Sequence, residues 1–180
     1  LNDLRNKTHN GIISERAFET TRVLGIESSK SSITDANRNA VINGFVNARY
    51  VHGKSEDMLP KLMRAGELKD ESLRVKSADV VILDPPRAGC REDLLQTVVD
   101  AKPEKIVYVS CDPATMARDI KFLSKKRYGF IEATPVEMFS WTGHVETIML
   151  LSKLDSKNHI SVELPMDDMD LTSAESKATY

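Results

Sequence analysis

The chain has 180 residues, enough for one domain with a substantial core and too few for two of ordinary size. Hydrophobic residues make up 41% and charged residues 29%, and no stretch approaches the roughly 20 apolar residues that a membrane span needs. A formal net charge of -2 excludes the strongly basic footprint of a stand-alone nucleic-acid-binding module, and the polar start, Leu1 to Lys7, has no signal-peptide core.

In chain order, Arg22 to Glu27 (RVLGIE) reads as a strand ending in an acid. Ser31 to Asn43 reads as a helix, with Gly44 where a helix C-terminus favours glycine. Ala48 to His52 is a short strand, and Glu56 to Ala65 a helix containing Pro60. Ala78 to Leu83 is an apolar run of buried-strand length that Asp84-Pro85-Pro86 stops. Glu92 to Ala101 is a helix, and Lys105 to Ser110 (KIVYVS) a second buried strand. Asp112-Pro113 caps and opens a helix reaching about Lys126, with proline in the favoured first turn. Tyr128 to Met138 and His144 to Leu151 are two strands in direct succession. From Asp155 the composition turns polar and acidic, and Thr172 to Glu175 has the form of a capping box.

Strand and helix alternate through the first four strands, which implies an α/β fold with a mostly parallel sheet covered by helices. The final strand pair, with no helix between, implies one antiparallel member. The expected organisation is a catalytic domain over residues 1–153 that lacks its N-terminal part, then a polar, truncated extension over 154–180. Two cysteines, Cys90 and Cys111, support neither a disulfide framework nor a zinc site, and a reducing, cytoplasmic setting fits them. The basic run Arg118, Lys121, Lys125, Lys126 and Arg127 falls on one helix, where a solvated face and a nucleic-acid contact are both open readings.

In open parallel sheets, ligands bind outside the carboxyl ends of the strands. Four groups fall at that edge: Glu27, Asp84-Pro85-Pro86, Ser110-Cys111-Asp112, and His144-Val145-Glu146 at the start of the reversed strand. Cys111 taken alone reads more readily as a small buried residue at a strand end than as a nucleophile. The helix start at Asp112-Pro113 sets backbone N–H groups beside its sulfur, which suits an anionic nucleophile. Cys90 has no such context and reads as structural or incidental.

The strings LDPPRAGC (83–90), IVYVSCDPATMARDI (106–120) and MFSWTGHVE (138–146), with DANRNAVINGFVN (35–47), resemble consecutive motifs of the RNA uracil-5-methyltransferase family. The resemblance covers roughly residues 20 to 152. It implies a Rossmann-like class I methyltransferase fold, S-adenosylmethionine as cofactor and RNA, ribosomal or transfer, as partner, with no membrane association. Carbon 5 of uracil is a poor nucleophile, and a thiolate adding to carbon 6 moves electron density onto it. The resemblance assigns that thiolate to Cys111 and the base that removes the carbon 5 proton to Glu146. It assigns Glu27 to the cofactor ribose, Asp84 and Ser55 to the cofactor pocket, and Pro85 and His144 to the substrate side, where Arg87 could pair with phosphate or with a neighbouring acid.

The sequence departs from the family in three places. The family's first strand and glycine-rich loop correspond here to about Asp3 to Ile13 (DLRNKTHNGII), where only Gly11 is a glycine, so the first strand is expected to be missing or degenerate. Ser140 and Trp141 stand where proline and histidine are common, and Trp141 could stack on a base or simply pack. The family's RNA-binding barrel has no counterpart in these residues. Two other readings stay open: an amino-group methyltransferase using the Asp84-Pro85-Pro86 turn, and a non-catalytic domain that keeps the fold.

Overall fold

The computed structural model describes residues 21–68, 70–138, 141 and 145–154. The stretch Asp3 to Ile13, His144 and the capping box at Thr172 lie outside the described residues. Among those described, no helix is long and apolar enough to cross a membrane.

The elements run β1 (Val23–Glu27), α1 (Lys30–Ile42), β2 (Ala48–His52), α2 (Ser55–Met63), a single 3-10 turn (Glu71–Leu73), β3 (Val80–Leu83), α3 (Glu92–Asp100), β4 (Lys105–Ser110), α4 (Pro113–Lys125), β5 (Tyr128–Val136) and β6 (Glu146–Lys153). Boundaries follow local chemistry. Ser29 caps α1 through its hydroxyl, which accepts from Ser32 N, and Gly44 ends it at φ 70°. Asp112 caps α4, accepting from Ala114 N and Thr115 N, with Pro113 in the first turn. Pro60 stands inside α2, where the missing N–H costs one backbone bond and leaves the helix intact.

β1 and β2 form a parallel pair, and the other four strands form a sheet in the order β3-β4-β6-β5. β3 and β4 are parallel, while β6 inserts antiparallel between β4 and β5. Among the described residues no strand joins the parallel pair to the four-stranded sheet. The first strand expected to be missing would belong to residues that are not described.

The core lies on one face of the larger sheet. Ile106, Tyr108 and Ser110 alternate inward along β4. They meet Leu94, Leu95 and Val98 of α3 and Met116 and Leu123 of α4, with Leu151 and Tyr128 closing the far side. Leu59 of α2 packs against the same cluster, so α2, α3 and α4 share one face. On the opposite face Val80 and Ile82 are 51% and 70% exposed, so the described helices cover one side of β3 and leave the other open. α1 packs on the β1–β2 pair instead.

Candidate active site at the carboxyl ends of the strands

The parallel ladders set four of the expected residues at strand ends. Glu27 is the last residue of β1 and pairs in register with His52, the last of β2, after which Ser55 opens α2. Asp84 and Pro85 follow β3, and Cys111 follows β4. The antiparallel ladder does the rest. Ser110 pairs with Thr147, so continuing the register by one residue sets Cys111 across from Glu146. Antiparallel neighbours at such a step have Cα atoms about 4.5–5.5 Å apart. Both residues are half-buried.

The loop after β3 borders the corner that carries Cys111, because Thr115 Oγ1 in the first turn of α4 donates to Arg87 O at 3.0 Å. The backbone N–H groups of Thr115 and Ala114 hold the Asp112 carboxyl below its usual range. At β1, Ser29 N donates to Glu27 Oε1 at 2.6 Å and Ser28 Oγ to the same oxygen at 3.2 Å. The first of these bonds, chiefly, holds Glu27 below the ordinary carboxylate range, so this exposed strand-end acid is suited to accept hydrogen bonds.

The two cysteines differ sharply. Cys90 is buried, and desolvation pushes its thiol up to about 11. Cys111 is partly exposed beside the helix start. The structural reading of Cys90 therefore has a physical basis. Trp141 is fully exposed and packs against none of the described residues. Among the described residues, no cluster of three histidines, cysteines or acids could hold a metal ion.

The sequence reading passed over one group. Asp119 is 1% exposed and accepts from Cys90 N at 2.6 Å, Tyr108 Oη at 2.6 Å and Arg118 Nε at 2.9 Å. Its signal was present in the pattern. Asp119 falls three residues after Met116 and four before Leu123, on the stripe that α4 buries. An acid at such a position requires partners, because an unpaired buried carboxylate is costly.

Parallel β1–β2 and β3–β4 ladders, helices on the sheet and a reversed β6 define the class I methyltransferase fold. The chain is 16% identical to a precorrin-6Y C5,15-methyltransferase from Geobacter metallireducens, with a TM-score of 0.54 over 75% of this chain and 70% of that one, a likeness of fold alone. A family model described as tRNA (uracil-5-)-methyltransferase matches residues 10–154, and the chain belongs to that family. Two relatives named uncharacterized RNA methyltransferases, from Bacillus cereus and Clostridium acetobutylicum, are 42% identical over 139 residues and 44% identical over 134. Those matches cover 77% and 74% of this chain but only 28% and 27% of the relatives, so the chain spans little more than a quarter of their length. The solved tRNA (uracil-54, C5)-methyltransferase of Pyrococcus abyssi, in complex with S-adenosyl-L-homocysteine, is 34% identical, with a TM-score of 0.57 over 74% of this chain and 29% of that one.

Proposed function

We propose that this chain is the catalytic part, up to about residue 153, of an enzyme that methylates carbon 5 of a uridine in RNA through a covalent adduct on Cys111. The observation that carries the reading is the Ser110–Thr147 pairing, one step from Cys111 and Glu146. A nucleophile and a base must reach adjacent carbons of one small ring, and this register brings both to one corner of the sheet.

The cofactor is S-adenosylmethionine, which supplies an electrophilic methyl group. The residues present fit its polar end. Glu27, an exposed acid at a strand end, offers an acceptor to ribose hydroxyls, with Ser55 following the neighbouring β2 and Asp84 following β3.

The chain's own residues do the following. The Cys111 sulfur forms a bond to carbon 6 of the uracil, and the ring's double-bond electrons move to the carbon 5–oxygen 4 enolate. Pro85 and Pro86 hold the turn after β3 rigid beside the ring. Arg87 offers a cation to the nucleotide phosphate. Once carbon 5 carries the methyl group, Glu146 takes its proton. The electrons of the broken C–H bond re-form the ring double bond and expel the cysteine thiolate. The base must leave its stack to reach this corner.

The test uses the full reading frame that contains this sequence and RNA carrying 5-fluorouridine, whose fluorine blocks the last proton removal. A stable protein–RNA adduct is expected, absent in Cys111→Ala. An adduct of equal yield in Cys111→Ala removes the cysteine from the reaction. Methyl groups found on a base amino nitrogen would favour a different acceptor.

A further inference from the structure

The loop between β3 and α3 carries Asp84, Pro85 and Arg87, and three of its residues, Arg87, Ala88 and Cys90, are hydrogen-bonded to α4. Thr115 Oγ1 donates to Arg87 O at 3.0 Å. Arg118 Nη2 donates to Ala88 O at 3.0 Å and to Cys90 O at 3.1 Å. Cys90 N donates to Asp119 Oδ2 at 2.6 Å. Gly89 sits between them at φ 73°, where a side chain would collide with Asp119 and Arg118. The loop also closes on itself through Gly89 N to Pro86 O at 2.8 Å.

One of these ties ends on Asp119, and Arg118, which makes two others, is itself bonded to Asp119. Tyr108 Oη donates to its Oδ2 from β4, and Arg118 Nε to its Oδ1. Tyr108 is fully buried, and burial together with the bond to Asp119 pushes its phenol well above its usual range, so it remains a donor. One buried carboxylate thus joins β4, α4 and the β3–α3 loop. Cys111 is the residue between β4 and the Asp112 cap of α4, so two of the three joined elements flank it. The third carries Arg87 and the proline turn.

We infer that Asp119 is a positioning residue: it latches the β3–α3 loop to α4 and so holds Arg87 and the Pro85-Pro86 turn in register with the Cys111 sulfur. This rests on the proposed uridine chemistry, in which attack on carbon 6 depends on alignment of a ring held by one loop with a sulfur held by another. Misalignment of that kind slows the step without abolishing binding. Loss of the latch therefore lowers kcat and leaves KM near its original value.

The experiment compares the unmodified protein, as its full reading frame, with Asp119→Asn and with Thr115→Val. Asp119→Asn is near-isosteric but weakens three donor contacts to a buried carboxylate. Thr115→Val keeps the side-chain shape at the helix surface and removes one tie. Asp119→Asn is expected to lower kcat by about tenfold to a hundredfold, the worth of one charged hydrogen bond, with KM within about twofold. Thr115→Val is expected to lower kcat by about threefold to tenfold. Hydrogen exchange gives a readout that needs no catalysis: in Asp119→Asn the amides of Gly89 and Cys90 exchange at least about tenfold faster, while those of β4 and β6 stay protected. A kcat and loop exchange equal to the unmodified protein in Asp119→Asn overturn the inference. If Asp119→Asn unfolds, Tyr108→Phe, which removes one donor from the same carboxylate, is measured in its place, and unchanged kcat and loop exchange there overturn the inference. If the unmodified protein forms no adduct with 5-fluorouridine RNA, the uridine reading falls, and the exchange rates alone decide whether the latch exists.

Discussion

Replacing Gly89 by alanine tests one of the closest approaches among the described residues. Gly89 has φ 73°, where an L side chain costs about 1–2 kcal/mol. Its new Cβ would stand 2.7 Å from Asp119 Oδ2, 2.5 Å from Arg118 Nη2 and 3.2 Å from Thr115 Cβ. The guanidinium can swing away, because it is the far end of a long and largely exposed side chain. The carboxylate cannot, because it is buried and held by Tyr108 and Cys90 N. Moving it forfeits at least one charged hydrogen bond, about 1.5–3 kcal/mol. Gly66→Ala supplies the comparison, since Gly66 has φ 78° with nothing within 4 Å of its would-be Cβ. The expected losses are about 3–5 kcal/mol at position 89 and about 1–2 kcal/mol at position 66. With a urea slope of about 1–3 kcal/mol/M, this separates the two unfolding midpoints by about 1 M. Urea unfolding followed by circular dichroism on matched preparations measures it. Equal midpoint shifts for the two variants would refute the packing argument and leave only the backbone term.

Two further outcomes follow from the same geometry. Iodoacetamide applied to the native protein near pH 8 is expected to alkylate Cys111 and spare Cys90, which is buried with its thiol pushed up to about 11; mass spectrometry after proteolysis reads the ratio, and prior labelling of Cys90 would contradict its placement. Asp112→Ala is expected to destabilise the domain through loss of the α4 cap, which urea unfolding reads as a lowered midpoint. The folded-state carboxyl of Asp112 lies below its unfolded value, so its contribution is present above about pH 4 and is lost as pH falls through the folded value. Stability curves of the two proteins should therefore converge on acidification, and a constant gap down to pH 2 would assign the effect to something other than the charge.

The sequence by itself determined the local elements, because their causes are local. Ser29, Asp112-Pro113 and Gly44 act on the turns they adjoin, and the apolar runs VVIL and KIVYVS are strands wherever they pack. It also determined which residues stand at strand ends, since a parallel sheet with helical crossovers aligns those ends. The order β3-β4-β6-β5 was decided only in three dimensions, because a strand's partners are set by which edges meet and not by its own pattern. The same holds for the register that pairs Ser110 with Thr147, one step from Cys111 and Glu146. The latch at Asp119 needed tertiary structure most of all. Its partners lie 11 and 29 residues away in sequence, and no periodicity links a buried acid to a distant tyrosine and a loop amide until the helix is packed against them.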